Sequence, residues 1–263
     1  MKVGIIGCGN IGTEIALFID KYKDYNLEYL SDINQNNIKK LQKRLKDNKP
    51  KISNINQLIK NSDLIIESAS KQAVSNILRN EYSDKKGKKL LIMSSGGIIR
   101  NIDLFDKIKN CKIYVPSGAI AGLDAIKAVS GKIKSLELTT TKPIEGLKDA
   151  PYIKNNNINL DKIKKKKIIF NGNLKEAIEG FPQNINVAAA LFLASKFKNI
   201  KIRIIADLKT KTNDHEIVCR GNFGTITAKT ENLPSKNPKT SYLAILSAIQ
   251  ILKGINSNKI IGS

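Results

Sequence analysis

The chain has 263 residues, 41% hydrophobic and 26% charged, the balance of a folded protein with room for one large domain or two ordinary ones. No apolar run approaches the roughly eighteen residues a membrane span needs, and the N-terminal apolar stretch, broken by glycines and followed by Glu14 and Asp20, does not read as a signal peptide. The net charge of +22 raises nucleic acid or an acidic membrane surface as partners. The lysines are spread along the whole chain, however, and the densest run, 162–167, lacks interleaved aromatics for base stacking, so a solvated basic surface is expected, with no specific nucleic acid and no membrane partner.

In chain order, residues 2–7 (KVGIIG) form a short apolar run, followed by glycines and a helical pattern through Ile11, Ile15, Leu17, Phe18 and Ile19. Strand patterns follow at 26–32, ending in Asp32, at 62–70, at 88–97 running into a polar glycine turn, and at 111–122 running into a loop. Helical patterns lie between them, at 36–45 and in "QAVSNILRNEY". Strands alternating with helices at this spacing predict a parallel sheet covered on both faces. The rhythm then changes. Residues 132–143, 201–207 and 215–232 alternate apolar with polar, as half-buried antiparallel strands do. Helical patterns occupy "NLKEAIEGFP", "NINVAAALFLASKF" and 241–255. The expected fold class is α/β, a parallel-sheet domain plus a second α+β domain with a mainly antiparallel sheet. Its expected divisions are a dinucleotide-binding domain over 1–120, a second domain over 121–237, and a C-terminal segment, 238–263, whose helix packs back on the first. Three cysteines (Cys8, Cys111, Cys219), odd in number and far apart, indicate neither a disulfide framework nor a metal site, and the cytoplasm is the expected compartment.

The first motif with chemistry is "GCGNIG". A glycine pattern alone is weak, but this one follows a predicted strand, opens a helix, and is succeeded twenty residues beyond Gly12 by the strand-end Asp32. Gly7 permits the tight turn, Gly9 lets backbone amides approach a pyrophosphate, and Gly12 lets helix and strand pack closely. The helix N-terminus offers its N–H groups to the phosphates. Gly7, Gly9, Asn10, Ile11, Gly12 and Asp32 are therefore candidate cofactor-binding residues. Asp32 as ribose acceptor favours NAD, while Asn34, Gln35 and nearby lysines leave NADP open. A structural turn with no ligand, and a solvated aspartate at a strand end, are the plainer readings of each piece taken singly.

The one histidine, His215, lies in "TNDHEIVCRGNFG" at an expected loop-to-strand junction, where Asp214 or Glu216 could orient its ring. Its unperturbed pKa near neutrality suits it to move a proton beside a hydride path. Asn184 and Asn186, before an apolar helix, could cap that helix or bind a carboxamide.

Taken together, "GCGNIG", "MSSGGI", "VPSGAIAGLDA", "FPQNINVAAAL", "DHEI..RGNFG" and "NPKTS" resemble the L-aspartate dehydrogenase family from residue 1 to about 252. The resemblance implies a Rossmann domain plus an α+β domain that also serves in dimerisation, so a homodimer or a higher homo-oligomer is expected. The implied activity is NAD(P)-dependent oxidation of L-aspartate through iminoaspartate to oxaloacetate and ammonia, and the imine can feed NAD biosynthesis. It places the family's catalytic histidine on His215 and its nicotinamide contacts on Ala119 and Asn186, with the neighbouring Gly118 and Asn184 less firmly matched. Ser117 and Ala121 stand at positions where members vary. A substrate with two carboxylates needs cations or N–H donors, and Lys142, Lys239, Thr240 and Ser241 are candidates. Two other functions stay open: a related two-domain reductase of another small dicarboxylate or amino acid, and a non-catalytic dinucleotide-sensing or nucleic-acid-binding protein.

Overall fold

The computed structural model describes residues 1–182, 185–235, 240–259 and 261. It divides the chain into two compact units, Met1–Pro116 joined by Ile245–Lys259, and a second whose main part is Ser117–Ala244.

The first unit alternates strands and helices: β1 (Lys2–Ile6), α1 (Asn10–Asp20), β2 (Asn26–Ser31), α2 (Gln35–Gln42), β3 (Lys51–Ile52), α3 (Ile55–Asn61), β4 (Leu64–Glu67), α4 (Lys71–Arg79), β5 (Lys89–Ile92), α5 (Ser95–Ile99), α6 (Ile102–Lys107) and β6 (Lys112–Tyr114). The six strands pair in the order β3-β2-β1-β4-β5-β6, and every pairing is parallel. Val3, Ile5, Leu64, Ile65, Ile66, Leu90 and Leu91 are buried, as strands covered on both faces require. The order reverses between β1 and β4, and that switch point is where an open parallel sheet offers a crevice at its strand ends. Asn34, Asn54 and Ser70 accept helix N–H groups at the starts of α2, α3 and α4. At the far end of α3, the Lys88 ammonium donates to the carbonyls of Ile59 and Lys60 and to that of Ser62 just beyond.

The second unit contains α7 (Leu123–Ala128), β7 (Ile133–Lys142), α8 (Pro151–Asn155), β8 (Lys167–Asn173), α9 (Leu174–Gly180), α10 (Asn186–Ser195), β9 (Lys201–Ala206), β10 (Asn213–Gly221) and β11 (Gly224–Asn232). Its sheet runs β11-β10-β7-β9-β8. The pairings are antiparallel except β7 with β9, which are parallel because β8, α9 and α10 intervene and return the chain in the same direction. The alternation over 215–232 resolves into the hairpin β10–β11, whose register pairs odd-numbered inward positions of β10 with even-numbered ones of β11. Leu136, Leu138, Ile202, Ile204, Ile217 and Cys219 pack with Leu174, Ala177, Phe181, Ala188 and Leu191 in one core. The last helix, α11 (Tyr242–Ile255), buries Ala248 and Leu252 in the core of the first unit, and the Tyr25 hydroxyl donates to the Leu252 carbonyl.

One local reading differs from the periodicity. In the "SSGG" segment, expected as a turn, Ser95 begins the short helix α5, and Ser94 before it is held by a buried carboxylate described below. The stretch 111–122 forms, as expected, a strand, Lys112–Tyr114, followed by a loop.

Asp20, at the end of α1 and 7% exposed, accepts the backbone N–H groups of Lys46, Asp47 and Asn48 at 2.7, 3.2 and 2.8 Å and the Asn48 amide at 3.0 Å. Burial disfavours its charge, but these donors outweigh it and hold its pKa below the usual carboxylate value. Stability from this group is present above the unfolded aspartate pKa and is lost as pH falls through the lower folded value. Asp20→Asn is expected to cost about 1–3 kcal/mol at neutral pH. In urea titrations the gap from the parent should close as pH falls below about 4.

Candidate active site

In the first unit a cavity of about 1330 Å³ opens at the carboxyl ends of β1, β2 and β4, lined in part by Gly7, Gly9, Asp32, Ile33 and Ser68. Gly7 has φ +94°, a left-handed conformation that glycine adopts without a Cβ penalty. A methyl on Gly12 would lie 1.9 Å from the Gly7 carbonyl oxygen, so α1 can begin this close to the loop only without a side chain there. At Gly9 a methyl would meet nothing within 4 Å, which leaves open space at the helix start. Gly9 itself is the N-cap of α1; no side chain caps the helix and no acidic residue occupies its first turn. Room, free approach and a helix start with neither a capping side chain nor an acidic first turn suit the pyrophosphate of a dinucleotide.

Asp32 does more than line this crevice. Its carboxylate accepts the Cys8 N–H at 2.7 Å, inside the glycine loop, and the Asn34 N–H at 2.7 Å. Burial and the Asp32 charge push the Cys8 thiol pKa up to about 12, which leaves Cys8 a small inert packing residue. Glu67, at the end of β4 and fully buried, accepts N–H groups from Ala69, Ser70 and Ser94 and the Ser94 hydroxyl at 2.8–2.9 Å. Burial raises its pKa against the pull of these donors. One carboxylate thus ties together the turns after β4 and β5.

In the second unit the side chains of one sheet face change from apolar to polar along the strands. Leu136 and Leu138 are followed by Thr140 and Lys142 on β7; Cys219 and Ile217 are preceded by His215 and Asn213 on β10. Thr140 lies opposite His215 in register. The Thr140 hydroxyl and His215 Nδ1 are 3.0 Å apart, and both side chains are buried. A hydroxyl can accept from a protonated Nδ1 or donate to a bare one, so Thr140 fixes the ring in either tautomer and directs Nε2 away from itself. Burial, and secondarily the Lys142 charge, lower the His215 pKa to about 3. Burial lowers that of Lys142, 6% exposed, to about 8. At neutral pH the pair is a neutral imidazole beside an ammonium.

The turn preceding α7 reaches this strand end. Ala119, 6% exposed, presents its carbonyl to the Thr230 hydroxyl at 2.7 Å and to the Asn232 amide at 2.9 Å. Thr230 is the register partner of His215, and Asn232 that of Asn213.

Residues 7–116 match the family model described as homoserine dehydrogenase, NAD binding domain, and residues 124–255 match aspartate dehydrogenase, C-terminal. The L-aspartate dehydrogenase of Methanosarcina barkeri is 42% identical, with all of both chains aligned. The chain belongs to the L-aspartate dehydrogenase family. The Nitrosopumilus maritimus L-aspartate dehydrogenase is 39% identical over 98% of each chain. The crystal structure of aspartate dehydrogenase from Thermotoga maritima superposes with a TM-score of 0.76 at 26% identity, covering all of this chain and 99% of that one. Family membership makes this a nicotinamide-dependent oxidoreductase with a Rossmann sheet and a second, mainly antiparallel domain.

Among the residues expected to matter in this aspartate dehydrogenase family member, Gly7, Gly9 and Asp32 line the crevice. Asn10 and Ile11 open α1, half-buried, and Gly12 lies behind them. Asn186 is exposed as the first residue of α10, whose N-cap is Ile185, so it is not the capping residue. Asn184 and Lys239 lie outside the described residues; Thr240 and Ser241 precede α11. The expectation that Asp214 or Glu216 orients His215 is corrected. Both are its immediate neighbours on β10, and strand alternation turns them to the opposite face, leaving the task to Thr140. The sequence alone does not point to Thr140, Glu67, Thr230 or Asn232. No short-range pattern marks them, and only strand register and turn packing bring them to their partners. Among the described residues no group of three or more histidine, cysteine or acidic side chains is placed to hold a metal.

Because the Asp32 carboxylate anchors two amides of its own fold, Asp32→Ser is expected to weaken NAD binding at least about tenfold without a matching gain for the 2′-phosphorylated cofactor. Calorimetric titration with NAD and NADP checks this; a clean exchange of preference would contradict it.

Proposed function

We propose that this chain oxidises L-aspartate with NAD⁺ or NADP⁺ to iminoaspartate, and that water converts the imine to oxaloacetate and ammonia. The observation that carries the reading is the buried end of β7 and β10, where a neutral His215, oriented by Thr140, stands beside the Lys142 ammonium.

The bound cofactor supplies the hydride acceptor. Gly7, Gly9, Asn10, Ile11 and Gly12, with the first turn of α1, hold its pyrophosphate, and Asp32 takes the ribose hydroxyls, which favours NAD because a 2′-phosphate would be repelled. Ala119 and Asn186 meet the nicotinamide end. Lys142 pairs with a substrate carboxylate, an attraction strengthened by burial. Nε2 of His215 accepts a proton from the water whose oxygen bonds to the carbon of the protonated imine; the imidazolium then returns that proton to the nitrogen of the resulting aminoalcohol, and ammonia leaves as the C–N bond breaks, the carbonyl forms and the hydroxyl proton is released. The substrate's negative charge beside the imidazole raises its proton affinity above that of the empty site. In reverse, the imidazolium protonates the oxaloacetate carbonyl. The family resemblance also supports a homodimer assembled through the second unit, and a cytoplasmic location. No helix among the described residues is long and apolar enough to cross a membrane.

Purified protein given L-aspartate and each cofactor in turn should generate reduced nicotinamide, seen by its absorbance. Oxaloacetate plus ammonia should consume it, within a panel of other dicarboxylates and amino acids. His215→Ala should lower kcat by about 10²–10⁴-fold and leave cofactor affinity intact; unchanged turnover removes His215 from the mechanism. The kcat/KM for aspartate should decline as pH rises through about 8, where Lys142 loses its charge. In Lys142→Met the value should be low throughout and this decline absent.

A further inference from the structure

We infer that Thr230 and Asn232 are positioning residues, which clamp the Ser117–Ile120 turn against the strand pair bearing His215 and thereby place the nicotinamide end of the cofactor. The inference rests on the reading of Ala119 and His215 just given and assigns a role to two side chains that it leaves unused.

The geometry is specific. Ile120 N–H reaches the Ser117 carbonyl at 3.4 Å, closing a turn whose first central residue, Gly118, has φ +68°. Ala119, its second central residue, keeps negative φ, as a type II′ turn requires. Two donors reach the Ala119 carbonyl from β11, the Thr230 hydroxyl at 2.7 Å and the Asn232 amide at 2.9 Å. The Asn232 amide nitrogen also lies 2.9 Å from the Asn213 carbonyl and 3.1 Å from the Thr230 hydroxyl. One buried amide, 4% exposed, therefore joins the turn, β10 and β11. Further along, a methyl on Gly122 would stand 3.2 Å from the Ala228 side chain, so the segment runs down the Ala228–Thr230–Asn232 face of β11. His215 and Thr230 are cross-strand partners, and the Ala119 carbonyl is held by the neighbour of the histidine itself.

A rigid turn sets where a ligand group rests relative to the proton-transferring nitrogen, and reacting groups misplaced by about 1 Å can lose on the order of 10²-fold in rate. Loss of the clamp is thus expected to act on the cofactor's reactive end, not on its adenosine end, which the first unit holds.

Thr230→Val and Asn232→Ala are each expected to raise KM for the cofactor about threefold to tenfold and to lower kcat, with the affinity for ADP-ribose unchanged. Thr230→Ser should restore parent values. The double variant should lose less than the product of the single losses, since both side chains hold one oxygen. Asn232→Asp should be worse than Asn232→Ala near neutral pH, because a carboxylate would face two carbonyls, and should recover partly as acid protonates it. Variants that lower only the melting temperature, with cofactor KM and kcat at parent values, overturn the inference. Full turnover in His215→Ala would instead defeat the underlying reading. In that event hydrogen exchange at the Gly118–Ile120 amides still decides the clamp: faster exchange in Thr230→Val and Asn232→Ala supports it, and unchanged exchange overturns it.

Discussion

The register of β7 against β10 is the constraint on which the second unit's chemistry depends. It sets Thr140 opposite His215 with Lys142 beyond, at the point where the core face of the sheet gives way from Leu138 and Ile217 to polar side chains. A one-residue slip of β10 against β7 would turn His215 away from Thr140 and Lys142. Asp214 and Glu216, its neighbours in the chain, would turn to the face that His215 now occupies. In the observed register it is desolvated, with an ammonium for a neighbour and the Thr140 hydroxyl 3.0 Å from its Nδ1. The apolar residues further along the same strands make the register costly to change, so the hydrophobic core and the protonation state of His215 have one physical origin.

A different device organises the first unit. Loops at the ends of parallel strands carry backbone N–H groups with no ladder to satisfy them, and two carboxylates collect these donors. Asp32 ties the glycine loop to the start of α2, and Glu67 ties the turn after β4 to that after β5. Burying a carboxylate is costly unless donors surround it. Once surrounded, it converts flexible turns into a fixed rim for the crevice, and the open space at Gly9 is part of that rim. The clamp on Ala119 applies the same principle in the second unit, with an amide and a hydroxyl in place of a carboxylate.

Much of this was legible locally. The glycine spacing, the acid at the end of the second strand and the alternation of strand and helix all follow from contacts within a few tens of residues, and the structure places them together. His215 stood out as the one histidine among motifs specific to a family. Its setting did not. Adjacent acids in the chain looked like partners for the ring, but the pleat of a strand sends neighbours to opposite faces. Lys142 was one lysine among very many, and nothing in "TTTKP" marks it as the buried one.

By itself, then, the sequence determined the two kinds of sheet, the dinucleotide loop, and the family to which the chain belongs, because each is encoded in periodicity or in the spacing of a few special residues. Tertiary structure alone decided which side chains share the environment of His215. Thr140, Lys142, Thr230 and Ala119 lie between 15 and 96 residues from it in the chain, and only strand register and the docking of one turn bring them into that neighbourhood. The pKa of the histidine follows from burial and a neighbouring charge, both properties of the packed fold and of no segment taken alone.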